Sequence, residues 1–534
     1  MIRAMINTIT KMKKTILTIA HKIRNFPGLD WVVLGTGLVA YAGLTLEKIT
    51  ASSIWFDEAF SAYIVKFNFF EIVHYTATDV HPPFYYWTLK IWTELFGTSE
   101  VAFRSMSIVF GMAAIVFGFL LVKRLFGRKA AYASLLLLAL SPMLVRYGQE
   151  ARMYTMAAAI SLAATYVLTF AVKSKRRLPW IIYGVLVAIG MWTHYFTAFV
   201  WLSHWTWRFI VKWQTGKRGQ ELKKAFFDKN WMFTHILAVS IFVPWAIVML
   251  VQMTTIQAGG FWIGPVSVNS FTNYFTNMLF YLEHEPAIKL YGTALALIIA
   301  VLIVFGLNLY KTLNKKDKQN YLLLVCLAFV PVILLFIAST PPIRSSFVER
   351  YLVPSATGFA LFAGVTLTLG YSKLKTVWRA LAIGLIAVSM MFGIVNVYHF
   401  GNYNKNSQTK VMTREVVEAI QATASEGEPI IIADQWVFYE AVFYEDDRNP
   451  MYLIDEKIDY KPGSDDMIEF NDKYKIKDIE AFVKDHPKVW YMGYSPDDKP
   501  LSRPYQNWSE IQNFGIYDQI DHKAHYRASE FQTN

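Results

Sequence analysis

Charge is scarce in this chain of 534 residues: Asp, Glu, Lys and Arg make up 17%, against 54% hydrophobic and 16% aromatic residues, and mean hydropathy is +0.29. That excludes an ordinary water-soluble globule. Cysteine is nearly absent as well. Cys326 stands alone in the apolar run 321–338, which rules out an intrachain disulfide and leaves a small core residue as its reading. The tail after 400 has no phosphate-binding glycine loop and no metal-ligand spacing, and the chain shows no internal repeat and no low-complexity tract. Near the N-terminus no small-residue cleavage site follows a short apolar core, so no cleavable signal peptide is expected.

What is abundant is apolar sequence at membrane-spanning length. Stretches near 31–47, 103–122, 130–146, 154–172, 179–194, 196–211, 232–251, 288–310, 321–338, 351–370 and 378–399 predict a mainly α-helical polytopic membrane protein with about eleven transmembrane helices. Basic residues cluster at every second loop: Lys123 to Lys129, Lys173 to Arg177, Lys212 to Lys229, Lys311 to Lys318 and Lys373 to Arg379. With the basic N-terminus these hold 27 of the 52 Lys and Arg residues. The positive-inside rule then sets the N-terminus in the cytoplasm of a multi-pass plasma-membrane protein. Loops 48–102, 147–153, 194–196, 252–287 and 339–350, and the tail after 400, fall on the extracytoplasmic side. In segment 1–29, Ile6, Ile9, Met12, Ile16, Ile19 and Ile23 share one helical face, as in an amphipathic helix lying on the inner leaflet. Membrane lipids are therefore its first partners.

The net charge of +12 conceals a division, with +22 over residues 1–400 and −10 over 401–534. The basic excess is a topology signal and gives no reason to expect nucleic acid. The reading is thus a transmembrane domain over 30–400 and a small C-terminal α/β domain over 401–534. In that tail, 411–424 patterns as a helix, and 429–433 and 488–493 as buried strands. Asp434, Glu445 to Asp447 and Asp497-Asp498 read as solvated surface.

The densest chemistry lies in the first extracytoplasmic loop, 48–102. Asp57 and Glu58 follow the aromatic pair Trp55-Phe56. Adjacent carboxylates at a membrane edge repel each other and lose hydration, so they point to a general base or a cation ligand; the competing reading is a helix cap with solvated charges. A carboxylate pair could hold a divalent cation, yet no full ligand set is visible. His81-Pro82-Pro83 fixes an extended entry into a helix over 82–97 and aims a histidine able to donate to a phosphate or sugar oxygen. Tyr85, Tyr86, Trp87 and Trp92 suit a helix lying at interfacial depth. A third group comprises Arg104, then Arg146 and Arg152 in the run through Gln149, Glu150 and Tyr154, then Arg344 and Arg350, with His194 at a span end. Each arginine alone reads as a snorkelling anchor, whereas several near two carboxylates can bind phosphate through forked hydrogen bonds. Lys, Asp and Glu are sparse within the spans, which weighs against a carrier or flippase for a lipid-linked or small substrate, the competing functional class.

These elements, in this order, resemble the polytopic type-C glycosyltransferases related to protein O-mannosyltransferases and lipid A aminoarabinose transferases. The resemblance covers roughly 30–400. It rests on Asp57-Glu58 after the first span, His-Pro-Pro-Phe-Tyr-Tyr-Trp from His81, Arg104 opening the next span, Gln-Glu-Ala-Arg-Met-Tyr from Gln149 to Tyr154, and Glu-Arg-Tyr from Glu349 to Tyr351. It implies the type-C fold, a polyprenyl-phosphate sugar as donor, a glycan, lipid or protein hydroxyl as acceptor, and inversion at the anomeric carbon. Asp57 would be the catalytic base and Glu58 would position it or the sugar. His81, Arg104, Arg152 and Arg350 would neutralise the departing phosphate. Two departures are plain: the aminoarabinose transferases have Lys-Pro-Pro where this chain has His81-Pro82-Pro83, and the large later insert of the protein mannosyltransferases is missing from 252–287.

Overall fold

The computed structural model of the protein describes residues 28–214, 226–259, 263–282, 288–370, 376–400, 411–460, 465–469, 471–495, 499–517 and 523–533. The amphipathic helix expected in 1–29 and the Asp497-Asp498 pair lie outside these residues, apart from 28–29.

Helix α1 (Leu29–Leu46) leads into a loop that folds as three short helices, α2 (Phe56–Ile64), α3 (Phe69–Thr78) and α4 (Phe84–Phe96). Then come α5 (Glu100–Phe126), α6 (Arg128–Ala139), α7 (Pro142–Gly148), α8 (Tyr154–Ala171), α9 (Leu178–Thr193), α10 (Thr197–Trp213), α11 (Lys229–Gly259) and α12 (Val268–Phe280). The bundle closes with α13 (Ile288–Thr312), α14 (Lys315–Ala338), α15 (Val353–Leu369) and α16 (Thr376–Phe400). Every apolar stretch named above is helical. Among the described residues eight helices are long and apolar enough to cross a membrane, and α6 with α7, bent by 52°, makes a ninth. The 16 residues of α9 and 17 of α10 fall short of that length. The stretch 82–97 is a separate 13-residue helix, as expected.

Local chemistry sets these boundaries. Ser99 caps α5 by accepting the Ala102 N–H, and Gly127, at φ +83°, ends it in a conformation that glycine takes without strain. The α6–α7 bend falls where Pro142 opens a new helix behind its cap Ser141. Glycine also permits the tightest crossing: a Cβ on Gly111 would sit 1.9 Å from the Tyr41 hydroxyl, which donates to the Leu144 carbonyl at 3.1 Å. At the other end of α1, buried Asp30 accepts from Lys123 at 2.6 Å, Arg128 at 2.8 Å and Tyr132 at 2.6 Å, fastening α1 to α5 and α6. Cys326 is a buried core residue.

The C-terminal domain is one mixed sheet with helices. It runs α17 (Thr413–Thr423), β1 (Ile430–Ile432), α18 (Gln435–Val442), β2 (Met451–Ile454), α19 (Asp466–Glu469), β3 (Lys475–Ile476), α20 (Ile479–Asp485), β4 (Lys488–Tyr494), β5 (Trp508–Gly515) and β6 (Tyr526–Thr533). Spatial order is β3-β2-β1-β4-β6-β5, parallel as far as β4 and antiparallel beyond. The expected helix and two strands are α17, β1 and β4. Asp434 is tied to structure rather than freely solvated, since its carboxylate caps α18 through the Trp436 and Val437 N–H groups. The domain sits directly on the first loop. Arg414 grips the Glu100 carboxylate at 2.8 and 2.9 Å, the Ile54 N–H donates to the Tyr444 hydroxyl at 2.7 Å, and Ser53 donates to Glu415 at 2.7 Å.

Candidate active site

The first turn of α2 presents Asp57 and Glu58 in opposite directions, and their environments separate their roles. Glu58 is fully buried. Its carboxylate accepts from Arg104 Nε at 2.8 Å and Nη2 at 2.7 Å, from the Ala151 N–H at 2.8 Å, and from the Trp55 N–H that it caps at 3.4 Å. Arg104 spends its other donors on the carbonyls of Ile49, Ser52 and Ser53 at 2.6, 3.2 and 3.1 Å. At 1% exposure its guanidinium has no face left for a phosphate. The pair expected to serve substrate is therefore a buried clamp joining the first loop, α5 and segment 149–153. A buried charge pair of this geometry is strongly destabilised when either partner is lost.

Asp57 faces the other way, with a fifth of its side chain exposed. One carboxylate oxygen lies 3.4 Å from Arg350 Nη1 and 3.9 Å from Arg152 Nε. Arg152 is 3% exposed and donates through Nη1 to the Asp57 carbonyl, the Ser61 hydroxyl and the Tyr86 hydroxyl at 3.1, 3.1 and 3.3 Å. The guanidiniums of Arg152 and Arg350 thus flank the Asp57 carboxylate, while Arg146 is paired with Glu150 at 2.7 Å. Burial lifts the Glu150 carboxyl above its usual range, and Arg146 only partly opposes this. Gln149 anchors the same segment by donating to the Thr45 and Glu47 carbonyls at 2.9 Å each. Arg152 Nε and the hydroxyls of Tyr154, near Asp57, and Tyr85, near Arg152, are buried with no hydrogen-bond partner among the described residues, as are the acceptors Gln149 Oε1 and Glu150 Oε1 behind them. The first three can donate, and donors left unmet beside guanidiniums fit an oxyanion.

His81 and His194 close one side, their rings 6.1 Å apart, with the Tyr351 ring 4.9 Å from His194. Burial depresses the basicity of His81, and Asp79, 3.2 Å from Nδ1, only partly restores it. In its neutral form the tautomer assigned by that contact carries the proton on Nδ1, leaving Nε2 as an acceptor; donating to a phosphate requires the imidazolium. Both histidines line a cavity of about 220 Å³ whose remaining wall is mostly apolar, including Phe199, Met249, Ile256 and Leu335. Arg344 lies at its edge, donating to the Gln257 carbonyl at 2.9 Å.

Of the residues expected at the site, the structure brings Asp57, His81, Arg152, Tyr154, His194 and Arg350 together, and sets Glu58, Arg104, Gln149 and Glu150 behind them in buried ion pairs and hydrogen bonds. Tyr85 and Tyr86 depart from the interfacial reading: both are 0% exposed and point inward, Tyr86 onto Arg152. Their run of aromatics at an apparent interface hid that placement, in the first turn of α4. Among the described residues no group of three His, Cys, Asp or Glu side chains is arranged to hold a metal ion. The surroundings of Asp57 do not fit a divalent cation either, since the nearest charges are guanidiniums that would repel one.

Comparison with known proteins gives this arrangement a context. Residues 80–251 match the sequence profile of the dolichyl-phosphate-mannose-protein mannosyltransferase family. The structure superposes on ArnT from Cupriavidus metallidurans in the apo state with a TM-score of 0.58 at 14% identity, covering 94% of this chain and 98% of that one. The chain has the type-C glycosyltransferase fold. The ArnT structure bound to undecaprenyl phosphate matches equally, with a TM-score of 0.59 at 13% identity and the same coverage. An oligosaccharyltransferase from Archaeoglobus fulgidus, tethered to an acceptor peptide, shares the type-C fold with a TM-score of 0.51 at 12% identity, over 79% of this chain and 64% of that one. A search of curated proteins returned no match. The resemblance read from the short motifs thus extends to the fold of nearly the whole chain, tail included.

Proposed function

We propose that the chain is a membrane glycosyltransferase that moves a sugar from a polyprenyl-phosphate donor to an acceptor hydroxyl on a glycan, lipid or protein at the extracytoplasmic face of the plasma membrane. The observation that carries this reading is Asp57 set between the guanidiniums of Arg152 and Arg350, with unmet buried donors on Arg152, Tyr154 and Tyr85 beside them. Asp57 takes the proton from the acceptor hydroxyl as that oxygen attacks the anomeric carbon. The bond to the phosphate breaks on the opposite face, inverting the configuration, and the departing phosphate takes its charge to Arg152, Arg350 and the Tyr85 and Tyr154 hydroxyls. Fixed donors aimed at developing charge in a dry site are worth several kcal/mol of barrier. His81 joins them when protonated. The largely apolar cavity beside His81 and His194 suits the first isoprene units of the donor, and the binding of undecaprenyl phosphate by a protein of the same fold supports that ligand class. Loop charge supports the orientation, because the basic loops lie at the ends of the helices opposite to the site.

Binding of undecaprenyl phosphate to the purified protein tests the reading without knowledge of sugar or acceptor. Arg152→Gln and Arg350→Gln are each expected to weaken binding about tenfold to a hundredfold, the loss of one charge-assisted contact. Lys129→Gln, at an exposed site on the opposite end of the bundle, should leave it unchanged. Absence of saturable binding, or equal binding by the arginine variants and wild type, would refute the assignment.

A further inference from the structure

The helix that carries Asp57 is held from two sides, and only one of them belongs to the helical bundle. On the bundle side Glu58 is locked by Arg104. On the other, α18 of the C-terminal domain lies along α2. The Phe56 ring meets Trp436 at 4.4 Å and Tyr439 at 5.8 Å, and Tyr439 also meets Phe60 at 6.1 Å and Tyr63 at 5.2 Å. Beneath these rings sits an acid, Glu440, at 5% exposure. Its Oε2 accepts from the Thr413 hydroxyl at 2.6 Å and the Tyr526 hydroxyl at 3.1 Å, and the backbone N–H of Phe56 faces the same carboxyl. Packing alone gives no reason for an acid there, since Leu or Met would fill the volume without the cost of burying a polar group.

We infer that Glu440 is a positioning residue: by bridging α17 and β6 of the C-terminal domain to the first turn of α2, it sets where the Asp57 carboxylate sits. The domain is then part of the transfer machinery, and the bridge responds to pH. Burial pushes the Glu440 carboxyl up to about 8, with Asp434 on its own helix adding to the rise and the two hydroxyls and the Phe56 N–H opposing it. The charged groups on the packed elements are engaged elsewhere: Arg414 and Glu415 of α17 with Glu100 and Ser53, Glu58 of α2 with Arg104, Asp57 of α2 with Arg350 and Arg152, and on β6 Arg527 with the Ala524 carbonyl and Glu530 with Gln512. A neutral Glu440 therefore joins the domains at neutral pH. Above its titration an uncompensated charge sits in the interface and the first turn of α2 loosens.

The test uses the full-length protein in nanodiscs and reads hydrogen exchange over residues 53–64 at pH 7 and pH 9, corrected for intrinsic exchange, beside the transfer rate. In wild type, protection and kcat are expected to fall together by up to about tenfold between the two pH values, with KM unchanged, as most of the carboxyl ionises. Glu440→Gln keeps the uncharged bridge, so both quantities should stay near their neutral-pH wild-type values at either pH, while Glu440→Ala loses protection at both. The same pH response in wild type and Glu440→Gln, or undiminished protection in Glu440→Ala, would overturn the inference. The kinetic arm rests on the proposed activity and the exchange arm does not. Should wild type turn over no polyprenyl-phosphate sugar, the activity reading fails and exchange still decides the role of Glu440.

Discussion

Replacing Glu58 with Gln distinguishes a structural clamp from a catalytic acid, because the change keeps shape and removes only charge. Glu58 and Arg104 are each about 1% exposed, and the carboxylate takes two guanidinium contacts and one backbone N–H within 2.8 Å. Breaking such a buried pair from one side costs about 3–5 kcal/mol. Here Arg104 keeps Glu100 at 3.8 Å and three backbone carbonyls, so the loss should fall near about 3 kcal/mol. Unfolding by titration with SDS in mixed micelles gives this difference directly. Transfer assayed well below the unfolding transition gives the second half: the folded variant should lose no more than about tenfold in kcat, because Asp57 still reaches the acceptor from a slightly displaced turn. A stability change below about 1 kcal/mol would refute the clamp. So would a variant that folds normally yet is as inactive as one lacking Asp57.

Two further outcomes follow from the geometry. Since burial depresses the basicity of His81, its imidazolium forms only at acidic pH in the empty site, and KM for the lipid donor should rise as pH goes from the acidic range to neutrality; His81→Lys, which keeps its charge throughout, should abolish that slope, and a persisting slope would remove His81 from phosphate binding. Gly111→Ala should cost about 1–3 kcal/mol in the same SDS titration by forcing Tyr41 away from the Leu144 carbonyl; a neutral result would show that the α1–α5 crossing has slack that the distances deny.

The spans were legible because a bilayer demands long apolar runs, and the tail's first helix and central strands because both are strongly patterned. The grouping of Asp57 with Arg152 and Arg350 was legible by residue type and order. Arg104 was not: a long cation at a membrane edge looks the same whether it meets a lipid phosphate or a carboxylate 46 positions away, and no local spacing marks the difference. Tyr85 and Tyr86 failed for a related reason, since inward phenols and interfacial ones share a composition. Glu440 carried no signal at all. Its meaning depends on a contact with Phe56, 384 residues away in sequence, between a domain read as separate and the loop beneath it. Strands β5 and β6 were missed because their polar residues break the apolar pattern, although β6 is buried along nearly its whole length.

The central claim is that Asp57 activates an acceptor hydroxyl against a polyprenyl-phosphate sugar. Its most direct test is sugar transfer by the purified protein reconstituted with such a donor and a membrane extract as acceptor, comparing wild type with Asp57→Asn. The variant should fold and bind undecaprenyl phosphate as wild type does, yet lose at least about a thousandfold in kcat; transfer within tenfold of wild type by the folded variant would contradict the account.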